Sequence, residues 1–185
     1  MKIGLISDTH LPGAMPEPPP QIAIAFRGVD LILHAGDIWL ASCLDWLEHI
    51  APVLAVENSS GASSMNDPRV EVRRVLDLDG YAIGLVHDLG LQGMGGEAFP
   101  GVIASDFPTD GSFAKALQDF FGRKVDIVVH GHTHYDLIEW HQGVLLVNPG
   151  SPTLPRQARR LGTVAILDLA PGGPTARIVN LATVE

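Results

Sequence analysis

The order of apolar and polar positions divides the chain into two halves with different rhythms. Early on, short apolar runs alternate with helical spacing: Ile3 to Ser7 and Val29 to His34 lack strict polar alternation, as strands covered on both faces do. Between them, a surface loop from Leu11 to Pro20 takes five of the 14 prolines. A helix is predicted over residues 21–27, closed by Gly28. A second, over 39–50, places Leu40, Cys43, Leu44 and Leu47 at helical spacing before Pro52. Val53 to Val56 reads as a third strand that runs into a polar loop, Glu57 to Gly61.

From Val70 onward strands follow one another. Residues 70–76 and 81–86 are joined through Asp79-Gly80, a hairpin signal. Residues 89–111 are rich in glycine and aperiodic, a loop of a length that is either functional or mobile. A helix over 112–121, with Asp110 or Ser112 as N-cap, precedes a strand over 125–129. A hairpin turns over Gln142-Gly143 between 137–141 and 144–147, and two last strands, 163–169 and 176–184, flank Pro171 to Pro174. Alternation early and mostly strands late predict two facing sheets with helices outside, in one domain spanning 1–185.

Composition narrows the function classes. With 46% apolar and 18% charged residues the chain is not disordered, and it has material for a core buried on more than one face. A net charge of −9 leaves no basic surface to hold a long nucleic acid by counterion release. It also disfavours anionic substrates, unless bound cations reverse the local field. The single cysteine, Cys43, excludes an intramolecular disulfide and fits a reducing compartment. The first residues have the pattern of neither a signal peptide nor a membrane span, so a cytoplasmic protein without membrane contact is expected.

The chemistry lies where the apolar runs end. Asp8 and His10 follow the first run; Asp37 follows the second, with Gly36 permitting a tight turn; Asn58 follows the third. His87 ends the run 81–86, and His130-Gly131-His132-Thr133-His134 follows 125–129. In open α/β sheets that edge is where ligands bind. Carboxylate, carboxamide and imidazole donors without thiolates suit Mn²⁺, Fe²⁺ or Zn²⁺. Seven such ligands exceed the need of one tetrahedral ion and match two ions sharing a carboxylate, with Asp37 as the candidate bridge. His34 and His130 read as hydrogen-bonded core residues, His49 and His141 as solvated. Trp39, Trp46 and Trp140 read as core or interface, although Trp39 is near enough to Asp37 to border a cleft. Arg156, Arg159 and Arg160 form a basic cluster that is either solvated or phosphate-steering.

Taken in order, Asp8-x-His10, Gly36-Asp37, Asn58, His87 and Gly131-His132-Thr133-His134 resemble the motif series of the calcineurin-like metallophosphoesterases. Asn148-Pro149-Gly150-Ser151 with Pro155-Arg156 resembles in particular their small prokaryotic phosphodiesterase branch, to which the retromer metallophosphoesterase-like subunit is also similar. The resemblance runs from residue 2 to about residue 156 and implies a four-layer α/β/β/α sandwich of two mixed sheets flanked by helices. It implies two divalent ions, manganese first, with Fe, Zn, Ni or Mg as alternatives. Asp8, His10, Asp37 and His134 would hold one ion, and Asp37, Asn58, His87 and His132 the other. A metal-bridging hydroxide would attack a small phosphate-ester substrate, with Asp37, Asn58 and His87 in the catalytic machinery; a homo-oligomer stays open.

One stretch departs from the family pattern. Glu57-Asn58-Ser59-Ser60 stands where the family usually has Gly-Asn-His-Asp or Gly-Asn-Cys-Asp, and serine is no useful general acid near neutral pH. Asp88 also stands where a glycine is common. Two readings follow: a dinuclear phosphoesterase preferring diesters, supported by the seven candidate ligands, and a scaffold with a degraded site, supported by the departures.

Overall fold

The computed structural model of the chain describes residues 1–185. In chain order its strands are β1 (Lys2–Ile6), β2 (Leu31–His34), β3 (Val53–Val56), β4 (Val70–Glu71), β5 (Arg73–Leu78), β6 (Tyr81–Val86), β7 (Ile127–Val129), β8 (Asp136–His141), β9 (Val144–Pro149), β10 (Thr163–Ala170) and β11 (Gly173–Asn180). The helices are α1 (Gln21–Ala25), α2 (Ala41–Glu48), α3 (Ser59–Met65), α4 (Val102–Asp106) and α5 (Ser112–Phe121). One sheet has the order β11-β10-β1-β2-β3-β4, the other β5-β6-β7-β9-β8. Both are mixed. β1 to β4 pair in parallel beside antiparallel β10 and β11, and β6, β7 and β9 pair in parallel between antiparallel β5 and β8.

Successive residues of the central strands face opposite cores. Leu31 and Leu33 of β2, Ile127 and Val129 of β7, and Leu145 and Val147 of β9 fill the space between the two sheets. Ile32 turns outward onto Phe26 of the α1 side and Leu44 and Leu47 of α2. Val128 and Leu146 turn outward onto Ile103 of α4 and Phe113, Leu117 and Phe121 of α5. Burial on both faces is why these strands carry no polar alternation, and it produces the expected helix, sheet, sheet, helix layering. No helix is long and apolar enough to cross a membrane.

Several expected boundaries move. The helix predicted over 39–50 starts at Ala41, because Trp39 has a left-handed backbone (φ 75°) and Leu40 is extended. The run 70–76 is two edge strands: β4 joins the first sheet, β5 the second, and Val72 alone lies between them. The polar stretch after β3 is the helix α3, capped by Asn58, whose side chain accepts from Gly61 N. α3 buries no residue, so it left no apolar period in the sequence. Within 89–111 lies α4, and Leu89, Leu91, Ala98, Ile103 and Phe107 are buried in the outer core. The segment is packed. The N-cap of α5 is Gly111, while Asp110 Oδ1 accepts from Ser112 N at 2.9 Å. β7 starts at Ile127, two residues later than expected. Pairing of Ala170 with Gly173 shortens the last turn to Pro171-Gly172.

Candidate metal centre

The parallel register of β1 with β2, which sets Ile6 opposite His34, carries Asp8 and Asp37 out of the same sheet edge side by side. Asp8 N donates to Gly36 O at 2.8 Å and His10 N to Asp37 O at 2.9 Å. Across the sandwich β6 and β7 pair in the same way, and Gly131 N donates to His87 O at 2.9 Å. The C-terminal edges of both sheets thus converge. Asp8, His10, Asp37, His132 and His134 all have left-handed backbones, with φ between 48° and 73°. Each costs a non-glycine residue roughly 1–2 kcal/mol, and such strain gathers where function imposes it.

Asp8, His10, Asp37 and His134 each offer a donor atom, and these atoms lie within 4.8 Å of one another. His10 Nε2 stands 3.1 Å from His134 Nε2 and 3.2 Å from Asp37 Oδ2, and His134 Nε2 is 3.5 Å from Asp8 Oδ1. His134 Nδ1 is 2.8 Å from Leu154 O, and His87 Nδ1 is 2.8 Å from Ala35 O. A carbonyl only accepts, so Nδ1 carries a hydrogen in both rings, the tautomer that in a neutral ring offers Nε2 as the ligand atom. His87 Nε2 lies 3.7 Å from Asp37 Oδ2, which puts the Asp37 carboxylate between His10 and His87.

Electrostatics suit a cation. Asp8 is fully buried and accepts from Ser7 Oγ at 2.5 Å and from His132 N at 3.1 Å. Burial raises its pKa well above the usual carboxylate range, against the Ser7 hydrogen bond and with help from the Asp37 charge. Burial lowers the pKa of His10, opposed by Asp37 and reinforced by His134 and His87. A divalent ion would stabilise the ionised carboxylates and neutral imidazoles that this donor set provides, so the residues fit a metal.

The remaining sequence candidates lie around this cluster. The rings of His87 and His132 meet edge to face with centroids 5.2 Å apart, and His132 Nε2 is 3.6 Å from Glu97 Oε1. The Asn58 carboxamide oxygen is engaged as the α3 cap, accepting from Gly61 N at 2.9 Å and from Ser60 Oγ at 2.7 Å. Asn58 shares a cleft with Asp37.

His34 is buried and hydrogen-bonded. His130 is buried too, but its Nε2 has no partner. His49, exposed, bonds Asp45 O, whereas His141 is half-buried and reaches Phe107 O at 2.8 Å, so it is not solvated as expected. Trp39 and Trp140 are exposed, not core. Of the three arginines, Arg156 lies over the Tyr135 ring and shares a cleft with Arg160, while Arg159 Nη2 is turned to Gly13 O at 2.9 Å.

Sequence reasoning missed Glu57 and Thr153, and it gave Asn148 and Ser151 no part in holding the loops. Glu57, almost fully buried, accepts from Ile38 N at 3.0 Å and Asn58 N at 2.9 Å, tying the end of β3 to the loop after β2. A carboxylate directly after an apolar run was its only signal. Ser151 Oγ donates to Asp8 O at 2.7 Å and Thr153 Oγ1 to Thr9 O at 2.9 Å, while Asn148 Nδ2 donates to Gly131 O at 2.8 Å. These buried bonds position both ligand loops from β9 and the turn after it.

Comparison with known proteins agrees with this geometry. The calcineurin-like phosphoesterase superfamily domain matches residues 1–172. A probable metallophosphoesterase of Methanothermobacter thermautotrophicus is 36% identical over 157 residues, covering 84% of this chain and 80% of that protein. Another from Methanocaldococcus jannaschii is 36% identical over 156 residues, covering 84% and 70%. Among solved structures, a Vps29 single mutant from Entamoeba histolytica superposes with a TM-score of 0.67 at 19% identity, covering 97% of this chain and 99% of that one. A structure described as a novel archaeal phosphodiesterase gives 0.59 at 20% identity, covering 97% and 100%. At such identities these two speak for the fold alone. The family match over nearly the whole chain, together with relatives of 36% identity, makes this protein a member of the calcineurin-like metallophosphoesterases.

Proposed function

We propose that the protein is a dinuclear metal-dependent phosphodiesterase. The observation that carries this reading is the convergence of Asp8, His10, Asp37 and His134 from both sheets within 4.8 Å, on strained backbone. These four would hold one ion, and Asp37 with Asn58, His87 and His132 a second. The mixed oxygen and nitrogen donor set suits Mn²⁺, with Fe, Zn, Ni and Mg as alternatives. Cations bound there supply positive charge for the phosphoryl oxygens and acidify water.

The chain's own residues prepare that site. Ser7 and the His132 amide orient the Asp8 carboxylate, while Ala35 O and Leu154 O hold Nδ1 of His87 and His134 and so turn Nε2 of each ring toward the site. Asp37 and Glu57 line the adjoining cleft. Their charge favours a diester, with a single negative charge, over a monoester carrying nearly two. Ser59 and Ser60 provide no acid for the leaving group, and the Ser60 hydroxyl is spent on Asn58 Oδ1. The lone thiol, Cys43, is buried and unpaired, which supports a reducing, cytoplasmic setting.

The decisive experiment measures metal bound to the purified protein and Mn²⁺-stimulated hydrolysis of aryl and alkyl phosphodiesters, for wild type and Asp37→Asn. The expected outcome is two ions per wild-type chain, much faster cleavage of the aryl diester, and a loss in Asp37→Asn of at least about 100-fold, the upper range for outer-shell substitutions. Fewer than one ion per chain with no metal-stimulated turnover would establish the scaffold reading instead. The engaged Asn58 oxygen favours that second reading.

A further inference from the structure

Beside Asp37 opens a cleft of about 440 Å³, walled by Trp39, Glu57, Asn58, Ser60, Ser64 and Met65. Trp39 is 54% exposed there, although a large aromatic ring ordinarily finds cover. It is not loosely placed. Its backbone φ is 75°, and a bulky residue stays in the left-handed region only where its surroundings impose it. The indole meets the His10 ring edge to face at 5.1 Å and lies so close to Gly13 that a Cβ at that position would overlap it. Arg159 Nη2 in turn holds Gly13 O at 2.9 Å. The ring is braced on the edge that touches the protein and open beyond it.

The two serines of the polar wall have a definite hydrogen-bonding sign. Ser60 Oγ donates its hydrogen to Asn58 Oδ1 at 2.7 Å, and Ser64 Oγ donates to Gly61 O at 3.0 Å. A hydroxyl has one hydrogen, so both serines offer the cleft only lone pairs. The Asp37 carboxylate is likewise an acceptor, while Glu57 spends its oxygens on Ile38 N and on Asn58, whose side-chain amide nitrogen donates to Glu57 Oε1 at 3.2 Å. A group that fills this cleft must present a flat π face to Trp39, bring its own N–H donors and add no negative charge.

We propose that the cleft is a subsite for a planar heteroaromatic group with exocyclic N–H donors, an aminopurine type of base. The base stacks on Trp39 while the phosphate of the same molecule lies at the Asp8, His10, Asp37 and His134 cluster. The placement of the phosphate rests on the phosphoesterase reading; the stacking does not. Trp39 is thus a specificity-determining residue, selecting substrates by the group attached to the ester.

The test uses ¹⁵N-labelled, chelator-treated protein titrated separately with adenosine and with ribose. Neither probe contains phosphate, so a protein that hydrolysed no phosphodiester would still report on the cleft. The indole N–H signal of Trp39 is assigned by its loss in Trp39→Phe. It is expected to move saturably with adenosine and not with ribose, together with the amides of Ser60 and Ser64, while the Trp46 and Trp140 signals stay. In Trp39→Ala the adenosine dissociation constant read from the Ser64 amide should rise roughly 5- to 150-fold, the range for losing one stacked base. Trp39→Phe should keep most of the affinity. A stationary Trp39 signal, an equal response to ribose, or an unchanged constant in Trp39→Ala overturns the proposal. If Trp39→Ala does not fold, the contrast between adenosine and ribose on wild type decides it.

Discussion

His34 and Asp8 pull the acid response of the chain in opposite directions. His34 is fully buried, its Nδ1 accepting from Gly36 N at 3.2 Å and its Nε2 lying 3.2 Å from Thr9 Oγ1. Burial pushes its pKa down to about 3, with His87 and His10 adding to the effect. In the unfolded chain it titrates near pH ~6.5. The folded value lies below the unfolded one, so stability is intact above about pH 6.5 and is lost as pH falls from there toward 3. Asp8 has the opposite sign: its raised folded pKa means that the native state takes up its proton first, so acidification strengthens its contribution. The two effects separate in a comparison of urea unfolding at pH 7 and pH 5, in chelator, for wild type and His34→Gln. Wild type should lose about 2 kcal/mol more than the variant over that interval. Parallel pH profiles would show that His34 takes its proton in the folded state.

At the scale of elements, the centre depends on how closely strand ends approach. Gly131 follows β7, and a Cβ on it would overlap Ser7 Oγ and stand 2.9 Å from Ala35 O. Ala35 O is backbone and also receives the His87 ring, so only separating the ends of β2 and β7 makes room. Gly131→Ala is expected to lower stability by on the order of 1–3 kcal/mol and to weaken metal binding. Thermal unfolding and Mn²⁺ titration read both, and no change in either would mean that the strand ends part freely. The elements that converge here were legible as sequence because burial on both faces leaves unbroken apolar runs, as in β2, β7 and β9. All seven candidate ligands follow such runs, and Asp8, His10, Asp37 and His134 bring donor atoms within 4.8 Å of one another where the sheet edges converge. Three features were not legible. α3 has a cap but no buried face; one run, Val70 to Leu76, cannot announce that it changes sheets; and the role of Glu57 depends on Ile38 N, 19 residues earlier in the chain.

Over the whole molecule, the candidate ligand set straddles two sheets that are otherwise joined by their shared apolar interior. Asp8, His10 and Asp37 extend from the first sheet, His87, His132 and His134 from the second. A cation bound to the native arrangement has no comparable site in the unfolded chain, so it stabilises by mass action, about 2.7 kcal/mol at 100 times its dissociation constant. For a domain of this size that corresponds to an unfolding midpoint roughly 5–10 °C higher. Calorimetry with Mn²⁺ and with chelator should find this difference in wild type and not in Asp37→Asn; equal midpoints in wild type would show that the cluster binds no ion in the native state.

Val72, alone between β4 and β5, divides the chemistry as well as the sheets. Residues 1–71 carry Asp8, His10, Asp37 and Asn58, and residues 73–185 carry His87, His132 and His134. Neither segment has a complete set of donors, and β1 of the first is flanked on one side by β10 of the second. A break at this one residue would therefore turn the protein into a complementation pair, two halves whose reunion is driven by the shared core and reported by a divalent ion that neither half can hold with its own donors.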